Sequence, residues 1–182
     1  MIFASVIYPL KMFKKAIPAI IVLSFLFVAC KHNTRFKEVQ APNLFTLQVP
    51  DYMHATGDLF KDGKTCLQYE NDSAQVFLLV FDTTRKSISE NTLKAFYDSI
   101  VSNPAIKDPQ IAPAKFAMLN KDSSMYTEMT GIAYGVKTYY KILVVATPPR
   151  FYYILLWTRD DRKEALKEDL DKIMGSFADI KQ

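Results

Sequence analysis

Two periodicities organise the hydrophobic positions downstream of residue 43. Positions 44–49 alternate apolar and polar, the pattern of a half-buried strand, and stop at Pro50-Asp51, a turn signal. A loop carrying Gly57, Asp58, Asp62 and Gly63 follows. Positions 66–69 and 74–81 then read as two strands joined through Asn71-Asp72-Ser73, residues whose side chains bond their own backbone in turns. The period next changes to three and four. Leu93, Phe96, Tyr97, Ile100 and Val101 fall on one face of a helix, Ser87 and Glu90 are spaced as its capping box, and Pro104 ends it.

Beyond a loop with Pro104, Pro109 and Pro113, strands are predicted over 114–119, 125–134, 136–147 and 151–158. The turns between them are too short for a crossover, so these neighbours are antiparallel. A last helix over 161–177 places Ala165, Leu166, Leu170, Ile173, Met174 and Phe177 on one face, with Asp161 and Glu164 as its cap. Three strands, a helix, four strands and a helix make an α+β domain: a central antiparallel sheet of about six or seven strands flanked by two main helices.

The amino-terminal part has no such period. Lys14 and Lys15 precede the apolar run AIPAIIVLSFLFVA, residues 16–29, which ends at Cys30 and the polar stretch Lys31-His32-Asn33-Thr34-Arg35. That is the layout of a secretory signal. As a helix its 14 residues would reach about 21 Å against a hydrocarbon core of about 30 Å, so a membrane span is the poorer reading. Phe27-Val28-Ala29-Cys30 resembles a lipobox, in which a lipoprotein signal peptidase cuts just before the cysteine. Ala29 is suitably small, and Phe27 departs from the usual aliphatic residue. The expectation is a signal peptide over 1–29, with Met12 as the true start, and lipidation at Cys30. Residues 30–43 then form a lipidated tether, and 44–182 the domain. The protein is expected in the cell envelope, lipid-anchored to a membrane after export, with membrane lipid as a partner through acylated Cys30.

Charge and composition narrow the rest. The whole chain carries +4, but Lys11, Lys14 and Lys15 lie in the signal, leaving 20 basic and 19 acidic residues after it. A basic nucleic-acid-binding face therefore has no support. With Cys30 acylated, Cys66 has no disulfide partner and reads as a small buried thiol in a strand.

Catalytic groupings are missing. The chain's two histidines, His32 and His54, have no partner at useful spacing, and its five glycines form neither a phosphate loop nor a nucleophile elbow. Asp58, Asp62 and Gly63 resemble part of a calcium loop, but Phe60 and Tyr69 occupy ligand positions, so a solvated loop is expected. Asp160, Asp161, Glu164, Glu168, Asp169 and Asp171 interleave with Lys163, Lys167 and Lys172 as an exposed helix face does. No catalytic residue, metal or cofactor is assigned.

What remains is aromatic. Tyr126, Tyr134, Tyr139, Tyr140, Phe151, Tyr152, Tyr153 and Trp157 all lie on the last three strands, and alternation sends half to each face. Ordinary sheet packing accounts for one half. Tyr139, Tyr140, Tyr152, Tyr153 and Trp157 are the candidate binding surface, for an unknown protein or small ligand.

Phe45-Thr46-Leu47-Gln48-Val49-Pro50-Asp51-Tyr52, the mid-chain helix from Ser89, the long strands and the closing Met174-Gly175-Ser176-Phe177 together resemble the PsbP-like family, over most of residues 44–177. Tyr52 stands where that family often has Trp. The resemblance implies a central antiparallel sheet flanked by helices, in a family that includes small envelope lipoproteins and protein-binding subunits. It transfers no functional residue. The functional expectation is a non-catalytic binding or accessory domain; the alternative is an enzyme with a dispersed carboxylate and tyrosine site.

Overall fold

The computed structural model describes residues 33–61, 65–87, 89, 91–102 and 106–180. The export segment, Cys30 and His32 lie outside them. The folded unit begins at Thr34.

Five strands open it: β1 (Phe36–Ala41), β2 (Phe45–Pro50), β3 (His54–Ala55), β4 (Thr65–Asn71) and β5 (Val76–Thr84). Helix α1 (Leu93–Val101) follows, then β6 (Lys107–Ile111), β7 (Lys115–Leu119), β8 (Asp122–Ala133), β9 (Val136–Ala146) and β10 (Arg150–Arg159). Helix α2 (Lys163–Gly175) and the short β11 (Ala178–Asp179) close it. The main antiparallel sheet runs β3-β4-β5-β10-β9-β8-β6, with β7 on the same edge of β8 as β6. β1, β2 and β11 form a second, smaller sheet.

Alternation decides what each face of the main sheet buries. Val76, Leu78 and Val80 on β5, Ile154 and Leu156 on β10, and Leu143 and Val145 on β9 meet β1, β2 and the α2 residues Leu170, Ile173 and Met174. Phe45 stacks on Phe177 at 5.2 Å and meets the edge of Tyr152 at 5.5 Å within this core. The opposite face carries Met129, Tyr140 and Ile142, and α1 covers part of it through Ile100 and Val101. Phe96 of α1 stacks on Phe151 at 4.7 Å. Each helix thus covers one face.

Several expectations shift. The tether predicted over residues 30–43 is too long: Phe36–Ala41 is β1, laddered along its whole length on β2. Only Val39 and Ala41 are buried there, too few to show a period. β6 occupies the proline-rich loop as a fully exposed edge strand, with Pro109 at a register shift where no ladder hydrogen bond is lost. Thr92, not Ser87, caps α1, its Oγ1 accepting from the Ala95 amide at 3.2 Å. Ser87 closes a short 3₁₀ turn and bonds the Thr84 carbonyl, while Glu90 lies outside the described residues. At α2 no side chain caps the amino end; Asp161 pairs with Arg159 instead.

Candidate functional site

The pleat places the cross-strand partners Phe77, Trp157, Tyr140 and Met129 in one row across β5, β10, β9 and β8, on the face that α1 partly covers. Phe77 and Trp157 stack at 5.2 Å with 17° between ring planes. Two rungs away the same face carries Phe81 stacked on Tyr153 at 5.5 Å, with Phe60 from the β3–β4 loop closing edge-on over Phe81. Toward the Trp157 end the same loop contributes Leu59. An open groove of about 690 Å³ runs there, lined by Phe77, Tyr140, Leu155, Trp157, Val136 and Tyr134, with Gln75 and Arg159 on its rim. Tyr134 is fully exposed at the tip of the β8–β9 hairpin, where it and Gly135 both take positive φ, the type I′ geometry of a two-residue turn.

Of the five aromatics expected to form one surface, Tyr140, Tyr153 and Trp157 share this face. Tyr139 and Tyr152 do not: period two turns each to the other side of the sheet. Tyr152 packs in the core, and its hydroxyl donates to Asp179 at 2.9 Å. Burial raises the tyrosine hydroxyls of both groups above their ordinary range, most simply for Tyr153, which is desolvated with little to offset it. At neutral pH these groups are donors and ring faces, not nucleophiles. Arg159 at the groove is paired with Asp161 at 2.7 Å, and Asp72 lies along the groove as well. The groove can therefore hold an apolar or planar group by stacking and dispersion, with polar contacts at its margin.

A second constellation escaped the sequence reading. Lys141 is 1% exposed on β9, in phase with the inward Tyr139 and Leu143, and its ammonium meets Asp171 of α2 and, at 3.4 Å, Glu128 of β8. Tyr126 donates to Glu128, and Lys167 reaches Asp171 at 2.6 Å. Burial alone would raise both carboxyls. Hydrogen bonds from Tyr126 and Tyr139 at Glu128, and from Lys141 and Lys167 at Asp171, outweigh it and leave both below the usual carboxylate range. The only sign in the sequence was a lysine at an inward position of a long strand; its partners lie 13 and 30 residues away. The charges satisfy one another, and Glu128 and Tyr139 line a shallow recess of about 330 Å³.

A third cavity, about 550 Å³, sits at the far end of the sheet between Arg150, Lys121, Tyr152 and Asp179, where Arg150 pairs with Asp82. Cys66 is half-buried rather than fully buried; it donates to the Val80 carbonyl at 3.2 Å, and its thiol is pushed up to about 12 by burial and by nearby Asp82, which makes it a weakly reactive strand cysteine. Asp58 pairs with Lys61 at 3.1 Å on the surface, while Asp62 and Gly63 lie outside the described residues.

No family model and no curated protein matches this chain. Solved structures do. Cyanobacterial PsbP (CyanoP) from Synechocystis superposes with a TM-score of 0.62 at 12% identity, over 81% of this chain and 94% of that one. LpqN of Mycobacterium tuberculosis, described as involved in cell envelope biogenesis, gives 0.54 at 12% identity, over 82% and 92%. A Mog1 variant gives 0.53 at 9% identity, over 80% and 95%. The fold is PsbP-like. At these identities the likeness extends to the arrangement of sheet and helices and carries no residue across. Within the PsbP-like frame, the groove at the Trp157 end is built from this chain's own side chains.

Proposed function

We propose that the protein is an exported lipoprotein, fixed through acylated Cys30 to a membrane of the cell envelope, whose domain is a non-catalytic binding module. Its groove takes an apolar or aromatic group of a partner protein or small ligand. The observation that carries this reading is the row Phe77–Trp157–Tyr140, with Phe77 stacked on Trp157, lining an open groove at one end of the sheet face that α1 only partly covers. The lipobox-like ending of the export segment supports the location. So does LpqN, a neighbour in fold whose description names the cell envelope.

A photo-crosslinking amino acid in place of Tyr134, in the membrane-anchored protein in intact cells, tests this reading. The expected result is a discrete adduct, analysed for protein, lipid or small-molecule mass, that falls at least several-fold when Trp157→Ala is added without change in circular dichroism. No adduct, or one undiminished by that substitution, would overturn it.

The enzyme reading has one observation in its favour, the convergence of Lys141, Glu128, Asp171 and Tyr126. Their charges are committed to one another rather than to a deep cavity, so the binding reading is preferred.

A further inference from the structure

The place where the folded chain begins says which way the groove faces. Thr34 is fixed by its hydroxyl to Asp169 at 3.0 Å, and the Arg35 carbonyl accepts from the Asp51 amide at 2.9 Å. The next residue, Tyr52, accepts at its carbonyl from Asn71 at 2.6 Å. Asn71 lies opposite Val76, and Val76 opposite Thr158. The domain thus takes up its chain at the end of the main sheet where the β4–β5 turn, the β8–β9 turn and the close of β10 lie. The aromatic groove occupies that same end, with Gln75, Tyr134, Trp157 and Thr158 along it.

Only three residues separate Cys30 from Thr34, so at full extension the acylated residue stands within about 14 Å of the domain. The opposite end of the 11-residue strand β9 is about 36 Å further off. An anchor this short leaves the groove end the one nearest the lipid.

The side chains exposed there suit an interface. Tyr134 is fully exposed and Val136 44% exposed, with Trp157 and Tyr140 behind them, and Trp and Tyr are the side chains enriched at the headgroup level of membranes. The flanking basic side chains are paired, Lys137 and Lys163 with Asp160 at 2.8 and 3.0 Å and Arg159 with Asp161, and Asp72 adds an exposed acidic residue along the groove. Attraction to such a surface does not require anionic lipid.

We infer that the occupant of the groove is the bilayer itself: the Tyr134 hairpin tip and the Trp157 end of the sheet rest in the interface of the membrane that holds Cys30. This rests on the lipoprotein reading above and sharpens it from an unnamed ligand to a zwitterionic lipid surface.

Trp157 is the only tryptophan in the chain and so reports on this site alone. Full-length mature protein purified from membranes is reconstituted in phosphatidylcholine vesicles, with and without acyl chains brominated near the headgroup. Expected are a blue-shifted emission, loss of at least half of it to brominated lipid, and a several-fold smaller loss in a Tyr134→Ser, Val136→Ser protein of unchanged melting temperature. Trp157 that ignores brominated lipid, and is quenched by aqueous acrylamide as readily as in a soluble Cys30→Ser protein, would overturn the inference and leave a solvent-facing binding groove. A mass spectrum of the same preparation showing a bare Cys30 would instead remove the lipoprotein reading, and the inference with it.

Discussion

Lys141 shows how a single side chain can mislead a reading made along the chain. Burying an ammonium costs several kcal/mol unless partners meet it, and here Glu128 and Asp171 do. Such a pair often contributes less than well-packed apolar atoms of the same volume would, because desolvation offsets the attraction. Lys141→Met is therefore expected to keep the fold and shift the melting temperature at pH 7 by only a few degrees. Its pH dependence should change more. Both carboxyls lie below their ordinary range in the folded protein, so their contribution to stability is complete above that range and fades as pH falls through the lowered values. Thermal melts from pH 7 down to pH 3 should show the wild type losing stability more steeply than Lys141→Met. Equal acid slopes would show that Lys141 does not hold those carboxyls down. Glu128 and Asp171 were legible as acidic residues but not as partners of Lys141, since no period in sequence links positions on β8, β9 and α2.

Among the elements, legibility followed length and burial. β8, β9 and β10 are 10 to 12 residues long with alternating or continuous apolar positions, and the reading placed them within a few residues. Helices α1 and α2 showed their inward stripes equally well, with Tyr97 buried in one and Leu170, Ile173 and Met174 in the other. Short elements left no pattern: β3 and β11 have two residues each, and β6 buries none of its five. Caps were misread because their residue types are common near helix starts and only geometry picks the right one. Thr92 fills the cap of α1, its backbone extended and its hydroxyl on the Ala95 amide. Thr92→Ala is expected to cost about 1 kcal/mol in urea denaturation, whereas Ser87→Ala should cost less, lying in an exposed 3₁₀ turn. The reverse ranking would return the cap to the Ser87 position. Gly131 marks a close approach on the same side of the molecule: a Cβ there would lie 2.4 Å from Ile106, the residue just before β6.

At the scale of the whole molecule, the sheet is a wall covered on one side by β1, β2 and α2 and on the other by α1 over part of its width. The part left open was half visible in advance. Clustering of aromatics on the last three strands flagged the region, and alternation required that Tyr139 and Tyr140 part company. Phe77, from a strand far earlier in the chain, could be added only once β5 was seen to pair with β10. The correction that mattered most concerns the amino end. With β1 beginning at Phe36 and Thr34 tied to Asp169, little chain remains between Cys30 and the domain, and location and groove become one question. The account stands on the acylation of that cysteine. Intact-mass analysis of the native protein extracted from membranes tests it most directly: the account predicts a chain beginning at Cys30 and heavier than its sequence by a glyceride and fatty acyl groups. A chain that retains the apolar run of residues 16–29, or one whose Cys30 carries no lipid, would contradict it.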